Sequence, residues 1–356
     1  GRKWRVRLVH LFEVLDPQGQ FRRLTGMAPE DYYNKRLARG WTLGLAQELK
    51  LLQSTIRLGH GMLVKALQQH WLRTGPDLVV SLVPNFNRAL YESLQAALPD
   101  APFVTVLTDL ADFPPHFWIE PGRQQDVVCG SPYAVRQAHA AGYPPARVHA
   151  VSGMPLRPDF HTFAGGDRAE ERRRLGLDPD RPTGLVMFGG HGSSAMATIA
   201  KALADTQLIL MCGHNAKLAM QLRGIAAAAP RSVVGFTTDV PRYMHLSDFF
   251  IGKPGPGSLS EAVHMKLPVI VTRNAWTMPQ ERYNAIWVRE NGVGIVLRSF
   301  REIRPAVADL IAALDTYQRA TSCLQNRAAF EIADCLAAIL TRDRQRAAPA
   351  RAVEAA

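Results

Sequence analysis

With 356 residues and a formal net charge of +11, the chain is too long for one ordinary domain and fits two. Apolar residues make up 47% and charged residues 21%, which excludes a wholly disordered or collagen-like chain. No apolar run reaches the ~18 residues that a membrane-spanning helix needs, and no signal-peptide pattern is visible, so a cytoplasmic protein, free or peripherally bound, is expected.

The charge is uneven. Residues 1–75 hold thirteen Lys/Arg against five Asp/Glu, and the next 75 hold four against seven. A basic zone is either a solvated face or a surface for an anionic partner, with nucleic acid and anionic lipid as the usual candidates. No compact nucleic-acid-binding motif accompanies it. Cys129, Cys212, Cys323 and Cys335 are scattered without a Cys-x-x-Cys pair. Cys129 and Cys212 sit in or beside apolar runs as buried thiols. That pattern fits a reducing compartment and argues against a zinc site.

In chain order, strands are expected at 6–12, 78–82, 103–107, 126–129 and 148–151, then at 184–188, 207–211, 233–234, 249–251, 269–271 and 294–296. They alternate with helical patterns, so each half is expected to be a doubly wound α/β domain, the two facing a cleft. The boundary falls in 153–182, which carries Pro155, Pro158, Gly165 and Gly166. The expected organisation is a first domain at 1–154, a connection at 155–180, a second domain at 181–341 and a disordered tail at 342–356. Residues 330–340 read as a last helix that docks back on the first domain.

The first strand begins almost at Gly1 and ends without a Gly-rich turn, so the domain is either atypical or short of a first βα unit. Within 41–72, Trp41, Leu45, Leu49, Leu52, Ile56, Met62, Leu63, Leu67 and Trp71 recur at near-helical spacing, interrupted by Gly59 and Gly61. This stretch reads either as a core-facing helix pair or as an interfacial amphipathic segment beside a lipid.

In the first domain, Thr108-Asp109-Leu110 follows a strand and runs into a Pro-rich loop with Asp112, His116 and Trp118. Asp109 either caps the turn or polarises a hydroxyl or orients a base. His116 is the other candidate for acid–base work. Trp118 is placed to cover an apolar acceptor. Asn85, at the neighbouring strand end, offers amide contacts.

The second domain carries the denser signals. Gly189-Gly190-His191-Gly192 links a strand to a helix, and Gly213 and Asn215 follow the next strand. Phe236 ends the one after, as a plain strand end or a base-reading edge. Ile251-Gly-Lys-Pro-Gly-Pro-Gly-Ser-Leu-Ser-Glu-Ala262 then joins a strand to a helix expected to open at Ser258. Glycines let backbone N–H groups approach a ligand, and a helix N-terminus favours negative charge, so Gly255, Pro256, Gly257 and Ser258 suit a diphosphate. Glu261 lies within reach of a sugar diol. Gln280, Glu281 and Asn284 supply groups that read hydroxyls. The order of contacts is that of a nucleotide-sugar site.

These motifs, with Gly153-Met-Pro-Leu-Arg-Pro158 and Asn291-Gly-Val-Gly294, resemble monogalactosyldiacylglycerol synthases and processive diacylglycerol glucosyltransferases over roughly residues 76–300. A more distant likeness is to the lipid II-forming N-acetylglucosaminyltransferase. The resemblance implies a GT-B fold and inverting transfer from a UDP-hexose to a lipid hydroxyl such as diacylglycerol. It implies no obligatory metal. Residues 41–72 and the basic excess around them are expected to attach the first domain to an anionic membrane surface, on the inner face of the cell membrane, and no nucleic acid is expected as a partner. The resemblance places Ser258 and residues 255–257 on the diphosphate, Glu261 on the ribose, and Gln280 and Glu281 on the hexose. The family opens with a Gly-Gly-Gly-His loop whose His is the base, and this chain's first strand resembles the family's second. Low turnover is therefore expected of the chain as it stands. A UDP-sugar 2-epimerase is the alternative reading, since it uses the same architecture without an acceptor.

Overall fold

The computed structural model describes residues 4–15 and 53–354. The first sheet is β1 (Val79–Ser81), β2 (Phe103–Val106), β3 (Asp126–Cys129) and β4 (Val148–Ala150), all parallel and in sequence order. The second holds β5 (Thr183–Met187), β6 (Gln207–Met211), β7 (Arg231–Val234), β8 (Phe249–Gly252), β9 (Val269–Thr272) and β10 (Gly294–Leu297). Its order is β10-β9-β8-β5-β6-β7, again all parallel. Strands β2, β3, β5, β6 and β8 are buried along their whole length, because helices cover both faces of such a sheet.

In the second sheet the order reverses beside β5: β6 and β7 lie to one side, β8 to β10 to the other. A crevice opens beyond the carboxyl ends of β5 and β8, the point where doubly wound sheets hold their ligands. Gly252, the last residue of β8, is required there. A Cβ on it would fall 2.5 Å from the Met187 carbonyl oxygen of β5.

The strand expected at 6–12 does not form. Residues 4–10 form no regular element and are exposed, and Leu11–Leu15 is a short helix. The alternation of apolar and basic residues imitates a strand. Leu11 instead packs with Val14 and Leu15 against Leu67 and Trp71 of the helix His60–Thr74. That helix combines both expected characters: Leu67 and Trp71 face the core, while Leu58, just before it, and Met62 and Leu72 on it are exposed. Gly59 caps it, whereas Gly61 lies inside it. Trp41 lies outside the described residues.

The last helix, Ala328–Glu354, occupies residues expected to be a disordered tail from 342. Its Ile332, Leu336 and Ile339 pack on Val104, Val106 and Val128 of the first sheet. Arg342 donates to both oxygens of the fully buried Asp126, at 3.0 and 2.8 Å, which fixes the helix where its apolar pattern ends. The two halves also meet directly. Leu110 and Ala111 enter the core of the second half, and Tyr133 stacks on Tyr283 at 4.3 Å. The segment 155–180 is itself packed: Phe160 and Leu177 are buried in that core, and Arg172 pairs with Asp248 at 2.7 Å.

Candidate functional site: a cavity at the strand-order reversal

Four loops after β5, β6, β7 and β8 enclose a cavity of about 390 Å3, within the range of small-ligand sites. Gly189, Gly190, Gly213, Phe236, Gly255, Pro256, Gly257, Ser258, Glu261 and Glu281 line it, as the sequence motifs anticipate. Met187, Met211, Gly235, Thr237, Val240 and Lys253 line it as well. Lys253 sits inside the Gly-rich turn. Its importance was not visible in sequence because its ionic partner, Glu281, lies 28 residues on.

The loops are built for close backbone approach. Gly213 has φ +57°, and a Cβ there would fall 2.1 Å from the Gly190 carbonyl oxygen. The next N–H, of His214, donates to that same oxygen at 2.8 Å. The β5 and β6 loops are thereby clamped together. The helix expected to open at Ser258 starts earlier, as Pro256–His264, with Gly255 at its N-cap and no side-chain cap. Proline suits the first position because it has no N–H to leave unpaired. The N–H groups of Gly257 and Ser258 stand at the first turn, free of intrahelical partners. Asn284 is fully buried and donates to the Pro254 carbonyl at 2.8 Å, which holds this turn from behind.

Glu261 lies in the second turn of that helix, on the cavity wall. Burial raises its pKa, and the Arg157 charge opposes the rise. Glu281, almost fully buried, accepts from Lys253 Nζ at 2.9 Å.

Asp109 comes from the first half, in the loop after β2. It is buried, and its Oδ2 accepts from the Trp118 indole N–H at 2.9 Å. Burial pushes its pKa up to about 6; the Trp118 hydrogen bond and Lys253 act downward, while the charges of Glu281 and Asp112 add to the rise. Asp109 therefore feels the charges of Lys253 and Glu281 across the junction of the two halves. Asp112 organises the same loop by accepting from the backbone N–H groups of Trp118 at 2.6 Å and His116 at 3.1 Å.

Several expected residues play other parts. Trp118 is 2% exposed and belongs to the first half's core, so it positions Asp109 and covers no acceptor. His116 is exposed at φ +64°, outside the cavity lining, and its N–H serves the Asp112 turn. Asn215 caps the helix Ala216–Arg223 by accepting from the Leu218 N–H, and its amide donates to the His191 carbonyl. His191 is exposed at the loop tip, and Gly192 packs on Leu218. Neither lines the cavity, nor does Gln280, whose amide lies 3.7 Å from Met278 Sδ. Asn85 has φ +67°; its N–H donates to the Phe117 carbonyl and its Oδ1 accepts from Gln53. Cys129 and Cys212 are buried thiols.

Comparison with known proteins follows the same division. Residues 186–344 match the glycosyltransferase family 28 C-terminal domain. The chain is 32% identical over 270 residues to the probable monogalactosyldiacylglycerol synthase 2, chloroplastic, of Oryza sativa subsp. japonica, covering 70% of this chain and 56% of that protein. It is 31% identical over 270 residues to monogalactosyldiacylglycerol synthase 1, chloroplastic, of Arabidopsis thaliana, covering 72% and 50%. The chain thus spans about half the length of the curated relatives it matches. Among solved structures, the S. aureus MnaA–UDP co-structure superposes with a TM-score of 0.55 at 16% identity, covering 78% of each chain. Acinetobacter baumannii MurG gives 0.55 at 13%, covering 76% of each. The fold is the GT-B arrangement of two Rossmann-like halves, and its second half, over residues 186–344, matches the glycosyltransferase family 28 C-terminal domain.

Proposed function

We propose that the protein is an inverting glycosyltransferase that moves a hexose from a UDP-hexose to a lipid hydroxyl, with diacylglycerol as acceptor. One observation carries the reading: the cavity combines a bare helix N-terminus, two clamped Gly loops and two carboxylates, and the charges of its Glu281 and Lys253 reach Asp109 of the other half. The relatives' identity as monogalactosyldiacylglycerol synthases supports the acceptor, and the UDP of one superposed structure supports the nucleotide.

In this reading the diphosphate lies against the N–H groups of Gly257 and Ser258, where the helix dipole favours negative charge. Glu261 takes the ribose hydroxyls, and the base lies toward Phe236. Glu281 faces the hexose, and Gln280, next to it but outside the cavity lining, is assigned to the same sugar. The acceptor hydroxyl attacks C1 as its proton leaves toward Asp109 or a base that Asp109 orients. A new C1–O bond forms, the C1–O bond to the diphosphate breaks, and UDP departs. A carboxyl with a pKa about 6 is ionised near neutrality yet basic enough to draw that proton. The diphosphate charge is met by protein groups, so turnover is expected to survive chelation of divalent metals.

The acceptor side is proposed to meet an anionic membrane, on the inner face of the cell membrane. The exposed Leu58, Met62 and Leu72, with Arg57 and Lys65 among them, support this. Among the described residues no helix is long and apolar enough to cross a bilayer. The test is hexose transfer from UDP-galactose or UDP-glucose to diacylglycerol in anionic vesicles, with and without a chelator. Hexosyl-diacylglycerol as product supports the reading. Epimerised UDP-sugar without transfer overturns it.

A further inference from the structure

Lys253 and Glu281 form an ion pair of 2.9 Å inside the cavity, where the diphosphate is expected. The position of Gly255 locates the pair. A Cβ at this glycine, the N-cap of Pro256–His264, would lie 3.3 Å from Lys253 Cε, 3.4 Å from Glu281 Oε1 and 3.6 Å from Ser258 Oγ. A carboxylate oxygen therefore stands beside the helix start where an anion would be held, neutralised by Lys253, the one lysine among the described residues that line the cavity. The two partners differ in freedom: the Glu281 side chain is 5% exposed and the Lys253 side chain 39%. Glu281 is fixed by its short helix Pro279–Glu281, while Lys253 rides on a turn and has a flexible stem.

We propose that Lys253 changes partner when the donor arrives, leaving Glu281 for the diphosphate and releasing the Glu281 carboxylate to the hexose hydroxyls. This rests on the donor-site reading above and deepens it. UDP alone must break the ion pair and leave a buried carboxylate without its cation, a costly state. UDP-hexose breaks the same pair but gives Glu281 hydroxyl donors in return. The pair thus disfavours the spent nucleotide and favours the loaded donor, which makes it a specificity device that also helps product release. During transfer, Lys253 then sits on the leaving group, where negative charge grows.

The test is calorimetric titration of UDP and of UDP-hexose into the wild-type chain, Glu281→Gln, Lys253→Met and the double variant, with melting temperatures recorded for each. Glu281→Gln should tighten UDP about threefold to tenfold by freeing the lysine, and should erase the preference for UDP-hexose over UDP. Lys253→Met should weaken UDP about 10- to 100-fold, the scale of a lost charged hydrogen bond. In the Lys253→Met background, Glu281→Gln should no longer tighten UDP. A folded Glu281→Gln whose UDP affinity stays unchanged or falls overturns the exchange and leaves the donor site standing. If Glu281→Gln fails to fold, unchanged UDP affinity in Lys253→Met overturns it instead. Absence of UDP binding by the wild-type chain removes the donor-site reading and this inference together.

Discussion

The two halves use the same α/β logic to opposite ends. In the second half the cavity is made mostly of backbone: glycines at 189, 190, 213, 255 and 257, and a helix start. Its chemistry is that of N–H groups held at fixed positions by strands β5, β6 and β8, which are buried along their whole length. In the first half the contribution is one buried carboxylate, Asp109, held by Trp118 in a loop that Asp112 organises. In the proposed reading the second half holds an anion, and the first carries a proton-active group. A binding site made of backbone is robust to side-chain change. A site made of one buried acid depends on every group that sets its charge state.

The comparison breaks most sharply at Asp109. Asp109→Asn should lower turnover by about 10²- to 10⁴-fold, the usual contribution of a proton-transferring group. UDP affinity should stay within about twofold, because the loss falls on a step after binding. Steady-state rates and calorimetry on one preparation check both halves of that statement.

Next in size is a change to the backbone of the second half. Gly213→Val meets both a positive φ and the Gly190 carbonyl at 2.1 Å, so it should cost about 2–4 kcal/mol of stability and weaken UDP. Gly189→Ala has the same backbone conformation, φ +76°, but open space around its Cβ, and should cost only about 1 kcal/mol. Chemical denaturation of the two variants separates strain from collision.

A smaller effect should appear in pH dependence. A folded pKa raised from 3.8 to about 6 means that the Asp109 contribution to stability is present below pH ~4 and is lost as pH rises through about 6. Relative to wild type, Asp109→Asn should therefore gain about 1–3 kcal/mol between pH 4 and 7. Wild-type turnover should move the other way, rising through pH 6 as the carboxylate ionises. Paired denaturation curves at pH 4 and 7 test the first statement, and a rate profile tests the second. Smallest of all is Gln280→Ala, which should leave UDP nearly unchanged and weaken only UDP-hexose.

Much of the two sheets is legible in sequence because parallel strands buried on both faces appear as unbroken apolar runs. The expected strand 207–211 coincides with β6, and 126–129 with β3. The Gly-rich turns followed for the same reason, since close backbone approach demands glycine itself. Side chains that act through distant partners were not open to reading. Lys253 lies in a motif that was singled out, yet its role depends on Glu281 folding back over it. Trp118 is expected from sequence to cover an acceptor, because its indole N–H finds Asp109 only in three dimensions. The helix past residue 342 depends on Arg342 reaching Asp126, 216 residues away. Residues 6–12 carry alternation without a neighbouring strand to use it, and Val6 and Leu8 stay exposed.

The central claim is that the cavity at the strand-order reversal is a UDP site in which Glu261 reads the ribose. Titrating UDP into the wild-type chain and into Glu261→Ala by calorimetry tests it most directly. The account predicts binding to the wild type, weakened in the variant by about 1–3 kcal/mol, the scale of a hydrogen bond to a charged group. Equal UDP affinity in the two proteins would contradict it.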